Sequence, residues 1–256
     1  MRITSYHSHT TRCGHALGSD ESYIINAISG GYEIFGMSDH APWPLVNGES
    51  GSYRMALSEL PSYLASFRKL KEKYKDQLTV LVGLEAEYFE DRLDWLRQLK
   101  AEHLDYLVFG NHNHQILSYR SYYGAQNWPA KQLIEYYLQD SYQGLASGLY
   151  ELFAHPDLFA ETVGYTDATV IAAFEKLCQW SKQFNVPLEY NLSGYYFGRG
   201  YPNKKLFETA AKWQCPVMVN GDFHDSARAK DRPLYTERRH YLEKLGCLVV
   251  ETITAS

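Results

Sequence analysis

The chain has no apolar run long enough to span a bilayer. Its start, Met1-Arg2-Ile3-Thr4-Ser5-Tyr6-His7, lacks the apolar core of a signal peptide. A cytoplasmic protein that does not engage a membrane is therefore expected. Cysteine is scarce. Cys13, Cys178, Cys215 and Cys247 form no Cys-x-x-Cys pair, which argues against a zinc knuckle and against a disulfide framework. Cys178, Cys215 and Cys247 read as buried free thiols, whereas Cys13 lies among histidines. Positive charge is short too: Lys and Arg number 25 against 30 Asp and Glu, a net −5. A chain of that balance is a poor candidate for binding nucleic acid or an anionic membrane broadly. No repeat, low-complexity tract or Pro/Gly/Ser linker divides the 256 residues. A single domain over 1–256 is expected, of a size barrel-type domains routinely reach. A hydrophobic content of 45% is enough for a sizeable core.

What is present is a rhythm. Short apolar or β-branched runs occur at Ile3–Tyr6, Ile34–Met37, Leu78–Leu84, Tyr106–Phe109, Leu152–Ala154, Val186–Tyr190, Val217–Val219 and Cys247–Val250. The stretches between read as helices. Ser19-Asp20-Glu21 offers N-cap chemistry before Tyr23–Ile28, and Gly30-Gly31 closes that helix. Ser58–Tyr74 carries Leu60, Tyr63, Leu64, Phe67 and Leu70 at helical spacing. Asp91–His103, Ala130–Ser147, Asp167–Phe184 and Lys204–Trp213 complete the set. Strands alternating with helices imply βαβ units with parallel strands. The expected fold is α/β, a closed or nearly closed barrel, with an open doubly wound sheet as the alternative.

The 10 histidines acquire meaning from that arrangement. Eight of them, all but His103 and His240, fall at or just after a strand end. The polar clusters are His7-Ser8-His9 with His15, Ser38-Asp39-His40, Glu85-Ala86-Glu87, Asn111-His112-Asn113-His114, His155-Pro156-Asp157, Glu189-Tyr190-Asn191-Leu192-Ser193 and Asp222-Phe223-His224-Asp225. In a barrel these ends converge on one face. His7-x-His9 and Asp222-x-His224 each place two candidate ligands on one side of a strand. Imidazole with carboxylate suits Zn²⁺, Mn²⁺ or Fe²⁺. One such histidine is ordinarily a hydrogen-bonded core or surface residue. Burying the whole set without metal would cost several kcal/mol. His103 reads as a helix-end residue, His240 as solvated and His114 as ambiguous. Asp39, Glu87, Asp157 and Asp225 read as partners of ligands or as caps.

This constellation resembles the polymerase-and-histidinol-phosphatase (PHP) superfamily. Its motifs are matched by His7-Ser8-His9, Ser38-Asp39-His40, His155 and Asp222-Phe223-His224, and its additional ligands by His15, Glu85 and His112. Tyr53-Arg54, Gly83-Leu84-Glu85-Ala86-Glu87-Tyr88 and Glu189–Gly194 with Tyr201-Pro202 make the chain similar to the monofunctional histidinol-phosphate phosphatases. The resemblance covers nearly the whole chain. It implies a single distorted (β/α)₇ barrel, a place in histidine biosynthesis, and hydrolysis of L-histidinol phosphate by three divalent transition ions (Zn, Mn or Fe). By that carry-over, His7, His9, Glu85 and Asp222 hold one ion. Glu85 bridges to a second, held by His112 and His155. His15, His40 and His224 hold the third. His114, Arg12 and Cys13 depart from the usual pattern without removing a ligand.

Phosphate monoesters hydrolyse extremely slowly unaided. A multinuclear centre supplies an activated water, binds phosphoryl oxygens and stabilises the leaving alkoxide. The expected mechanism is direct in-line attack by a metal-bridging hydroxide, with the proton handled by Asp222 or by one of the cluster's histidines, such as His224. Arg199 lies between two glycines, and its guanidinium can grip phosphate bidentately. It is the expected phosphate contact. Arg54, Asn191 and Ser193 are further substrate candidates, and Arg12 is a weaker one. Tyr88, Tyr195, Tyr196 and Phe197 could wall a flat heterocycle such as imidazole. A phosphodiesterase or exonuclease on the same centre, or a phosphatase for another small phosphomonoester, is the alternative. An open multi-strand cluster without Cys-rich ligation argues against a metal-storage module. The expected partner is the small substrate alone, with the chain a monomer or a small homo-oligomer.

Overall fold

The computed structural model describes residues 2–44, 53–116, 121–122, 128–164 and 168–253. Eight strands form one parallel sheet in chain order: β1 (Thr4–Ser5), β2 (Ile34–Met37), β3 (Thr79–Ala86), β4 (Tyr106–Phe109), β5 (Leu152–Phe153), β6 (Leu188–Asn191), β7 (Pro216–Asn220) and β8 (Leu248–Val249). Every run read as a strand is one. The helices are α1 (Asp20–Gly30), α2 (Leu60–Lys73), α3 (Leu93–His103), α4 (Ala130–Ala146), α5 (Leu158–Val163), α6 (Ala168–Phe184), α7 (Leu192–Tyr196), α8 (Lys204–Trp213) and α9 (Arg232–Leu245). Asp167, the expected start of α6, lies outside the described residues. α5 and α7 fall in segments to which the sequence pattern assigns no element.

Strictly sequential order has no point at which the winding reverses. Right-handed crossovers then put the connecting helices on one side of a sheet whose twist curls it. An open doubly wound sheet needs a reversal, so that alternative is excluded. The sheet is a half-barrel of eight parallel strands, α/β as expected and not fully closed. β8 adds at the start of β7, where Pro216 and Val217 face Leu248 and Val249. Beyond the ends of β1 and β7 the chain itself makes contact. Ser8 bridges Phe223 in parallel, and the amide of His9 donates to the Phe223 carbonyl at 2.9 Å.

Alternation along the strands divides the core in two. Leu107, Phe109, Phe153, Val217 and Val219 face the helices. Tyr106, Val108, Leu152, Ala154 and Met218 form a smaller cluster on the inner face. Helix α2 buries Leu60, Tyr63, Leu64, Phe67 and Leu70, the residues that its spacing singles out. Each such side chain contributes about 1.5–3 kcal/mol when fully buried. Ser19 caps α1 through the Ser22 amide, and Gly31, at φ +76°, ends it.

Register then aims the acids. Glu85 pairs with Val108 and Glu189 with Met218. Paired residues share a face, so both carboxylates point inward, Glu85 at the C-terminal end of β3 and Glu189 within β6.

Candidate metal centre

The strand ends open into a cavity of about 520 Å³, walled in part by His15, His40, Glu85, His112, His155, Asp222 and His224. His7 and His9 lie beneath it, fully buried. The candidate ligands, from six of the seven polar strand ends, are thus brought to one place.

Glu85 is the centre of the arrangement. Its Oε1 lies 3.2 Å from His112 Nε2 and 3.0 Å from His155 Nε2. Its Oε2 lies 2.9 Å from His40 Nδ1, 3.4 Å from His7 Nε2 and 3.7 Å from His9 Nε2. The two oxygens of one carboxylate therefore face two different histidine sets. Asp222 Oδ1 serves the other side, 3.0 Å from His9 Nε2 and 3.5 Å from His7 Nε2.

Outer acids hold the rings. His7 Nδ1 meets Glu189 Oε1 at 2.8 Å, and His9 Nδ1 faces Asp39 Oδ1 at 3.5 Å. His112 Nδ1 meets Glu87 Oε1 at 3.3 Å. The Nδ1 atoms of His15 and His224 meet the carbonyls of Cys13 and Asp222, at 2.9 and 3.1 Å. A carboxylate or carbonyl can only accept, so Nδ1 carries the hydrogen and Nε2 a lone pair. The Nε2 atoms of His7 and His9 then stand 3.1 Å apart with both lone pairs inward. Glu85 Oε2, Asp222 Oδ1 and His224 Nε2 are buried with no hydrogen-bond partner. Facing lone pairs and orphaned acceptors are the donor set of a cation site. His7–His9–Asp222, His7–Glu85–His155 and His9–His40–His224 each place their ligand atoms within 4.8 Å of one another. The residues fit divalent metal.

Titration shows the same demand for positive charge. Burial opposes the charged form of His9 and His112, but neighbouring carboxylates outweigh it. His9 is pushed up to about 9 by Asp222 and Asp39, and His112 up to about 10 by Glu85 and Glu87. Burial and the charge of His9 push His40 down to about 4 and His224 down to about 3. Burial also opposes ionisation of Glu85, yet His112, His7 and His40 hold it well below the usual carboxylate range. Strain accompanies these positions: His155 sits at φ +30° and Asp222 at φ +49°, conformations that side chains other than glycine rarely adopt without a constraint.

The substrate candidates separate. Arg199 and Ser193 line the cavity, Arg199 on its exposed rim. Arg54 does not line it: the residue is buried, paired with Glu87 and stacked on Tyr53. Asn191 is also a correction. Its amide donates to Glu189 at 2.8 Å and to Asp222 at 3.0 Å, and its Oδ1 accepts from the Gly194 amide. Its hydrogen-bonding capacity is spent on orienting the acids. Arg12 forms a bidentate pair with Asp20 at 2.8 and 2.9 Å. Phe197 joins the wall, while Tyr88, Tyr195 and Tyr196 do not. His114 turns away to Asp140, at 2.9 Å, and stacks on Tyr136. His103 stands at the exposed end of α3 and His240 is exposed. Asp39 and Glu87 orient histidines as expected. Asp157 accepts from the Asn203 amide and Asp225 from the Ala227 amide. The sequence reading passed over the role of Glu189, although two of its strand neighbours were noted. Its signal is an acid on the inward parity of β6.

Residues 5–193 match the family model described as the PHP domain. The chain belongs to the PHP domain family. This PHP protein is 25% identical over 256 aligned residues to the histidinol-phosphatase of Bacillus subtilis, covering 88% of the chain and 95% of that protein. It is 26% identical over 233 residues to a Deinococcus radiodurans protein named "Probable histidinol-phosphatase", covering 85% of each. The fold is shared with the histidinol phosphate phosphatase of Lactococcus lactis, crystallised with Zn, L-histidinol and phosphate, at a TM-score of 0.73 over 99% of this chain and 97% of that one, with 17% identity. No helix among the described residues is long and apolar enough to cross a membrane.

Proposed function

We propose that this PHP protein is a metal-dependent phosphomonoester hydrolase that converts L-histidinol phosphate and water to L-histidinol and phosphate. The observation that carries the chemistry is Glu85, one carboxylate whose two oxygens serve separate histidine sets on the floor of an open cavity. The substrate is supported by the names of the relatives, which the chain matches over most of their length. A distorted seven-stranded barrel with β8 as an addition is supported by the Ser8–Phe223 bridge.

In this reading three divalent ions (Zn, Mn or Fe) are held by three sets. The first is His7, His9, Glu85 and Asp222, and the second is Glu85, His112 and His155. The third is His15, His40 and His224. Bound there, the ions supply an activated water and neutralise phosphoryl charge. The rest falls to the chain. Glu189, Asp39 and Glu87 lock the imidazole tautomers, so the lone pairs point inward without reorganisation. Asn191 fixes Asp222. Asp222 or an adjacent histidine, His224 foremost, manages the proton at the cavity wall. Arg199, at the rim, takes phosphate oxygens that the ions leave uncovered, and Ser193 adds a polar contact beside it. No Ser or Cys nucleophile is required.

Phosphate release across a panel of phosphomonoesters tests both parts. The expected result is highest kcat/KM for L-histidinol phosphate, loss of activity on chelation and recovery on reloading. Equal rates across the panel would overturn the substrate, and full activity of metal-free protein would overturn the chemistry.

A further inference from the structure

The turn after β1 carries a thiol that the ligand sets above leave out. Thr11–Cys13 is a single 3₁₀ turn, closed by Gly14 at φ +80°. The turn folds Cys13 under the cluster, where it is 1% exposed. Its sulfur and one ligand atom each of His15 and His224 all lie within 4.8 Å of one another. The same sulfur groups as closely with His9 and Asp39. His224 Nε2 is buried without a hydrogen-bond partner, so an unspent nitrogen belongs to one of the histidines grouped with the thiol. The carbonyl of Cys13 takes the Nδ1 hydrogen of His15 at 2.9 Å, leaving His15 Nε2 to bind. One residue thus orients a histidine with its backbone and presents sulfur beside it.

We infer that Cys13 Sγ is a ligand of the ion held by His15 and His224. This rests on the metal-centre reading above and adds to it. A buried cysteine is ordinarily a small apolar filler, as Cys178, Cys215 and Cys247 are. Cys13 differs in that its sulfur groups with ligand atoms of His15 and His224. A sulfur donor makes this position softer than the Glu85 positions. It favours Zn²⁺ or Fe²⁺ there over Mn²⁺, so the ions of one centre need not be alike.

Cobalt(II) is the probe, loaded into chelator-stripped full-length protein. Thiolate ligation gives a near-ultraviolet sulfur-to-cobalt charge-transfer band. The band is expected in the wild type, absent in Cys13→Ser and retained in Cys178→Ala. Zinc-edge X-ray absorption of the unaltered holoenzyme, expected to show a sulfur scatterer at about 2.3 Å, makes the test independent of whether the variant folds. Protein that takes up cobalt without the band, or keeps the band in Cys13→Ser, overturns the inference and leaves the metal centre standing. Protein that takes up no metal overturns both.

Discussion

At the scale of single residues, the acids that touch no substrate govern the site as much as the ligands do. Glu189 accepts from His7 Nδ1, from the His155 amide and from Asn191, each at 2.8 Å. Glu189→Gln puts an NH₂ against one of these donors. The expected loss of metal affinity is about 10–100-fold, read by competition with a chelator, and unchanged affinity would contradict a positioning role. Arg199→Ala is expected to lower kcat/KM about 10–100-fold, mainly through KM, the cost of about 1.5–3 kcal/mol for a charge-assisted bond. Metal content, measured by elemental analysis, stays constant. Asp157 supplies a pH dependence. Burial, against the opposing bond from the Asn203 amide, raises its carboxyl to about 7, from about 3.9 in an unfolded chain. Between those values the folded state holds a proton that the unfolded state has lost, so stability falls as pH rises from about 4 to about 7. Urea midpoints should therefore decline less across that range in Asp157→Asn than in the wild type.

At the scale of elements, the sequence was legible wherever a residue's place followed from its own neighbourhood. The β4 run Tyr106–Phe109 and the apolar face of α2 are local patterns. The convergence of the candidate ligands was legible for a related reason: parallel strands force their C-terminal ends together, so position along a strand already implies position in space. α5 and α7, of six and five residues, are too short to show a helical period. Arg54 and Asn191 were misplaced because a side chain's partners depend on strands distant in sequence. The role of Glu189 was hidden likewise, since β6 reaches His7 only through the curl of the sheet. That curl leaves a mark in Gly36, where an added Cβ would stand 2.2 Å from the Tyr106 hydroxyl. That hydroxyl donates to the Tyr6 carbonyl at 2.6 Å. Gly36→Ala should destabilise by about 1–3 kcal/mol, visible as a lower urea midpoint at an unchanged slope.

At the scale of the molecule, the proposed metal centre would be linked to global stability through its candidate ligands at the strand ends. Ions that bind the folded chain and not the unfolded one stabilise it by mass action. Chelator-stripped protein should melt several degrees lower, at about 2–4 °C per kcal/mol for a chain of this class. Reloading should restore the melting temperature, and identical curves would show that the centre is not coupled to folding. The contact between Ser8 and Phe223 has a consequence for synthesis. His7 and His9 leave the ribosome well before their partners Asp222 and His224. No site that needs both segments can exist before the second has been made. The early histidines stay incomplete as chelators until β7 and the residues after it have been made, so ion capture at those positions waits for long-range pairing of the sheet.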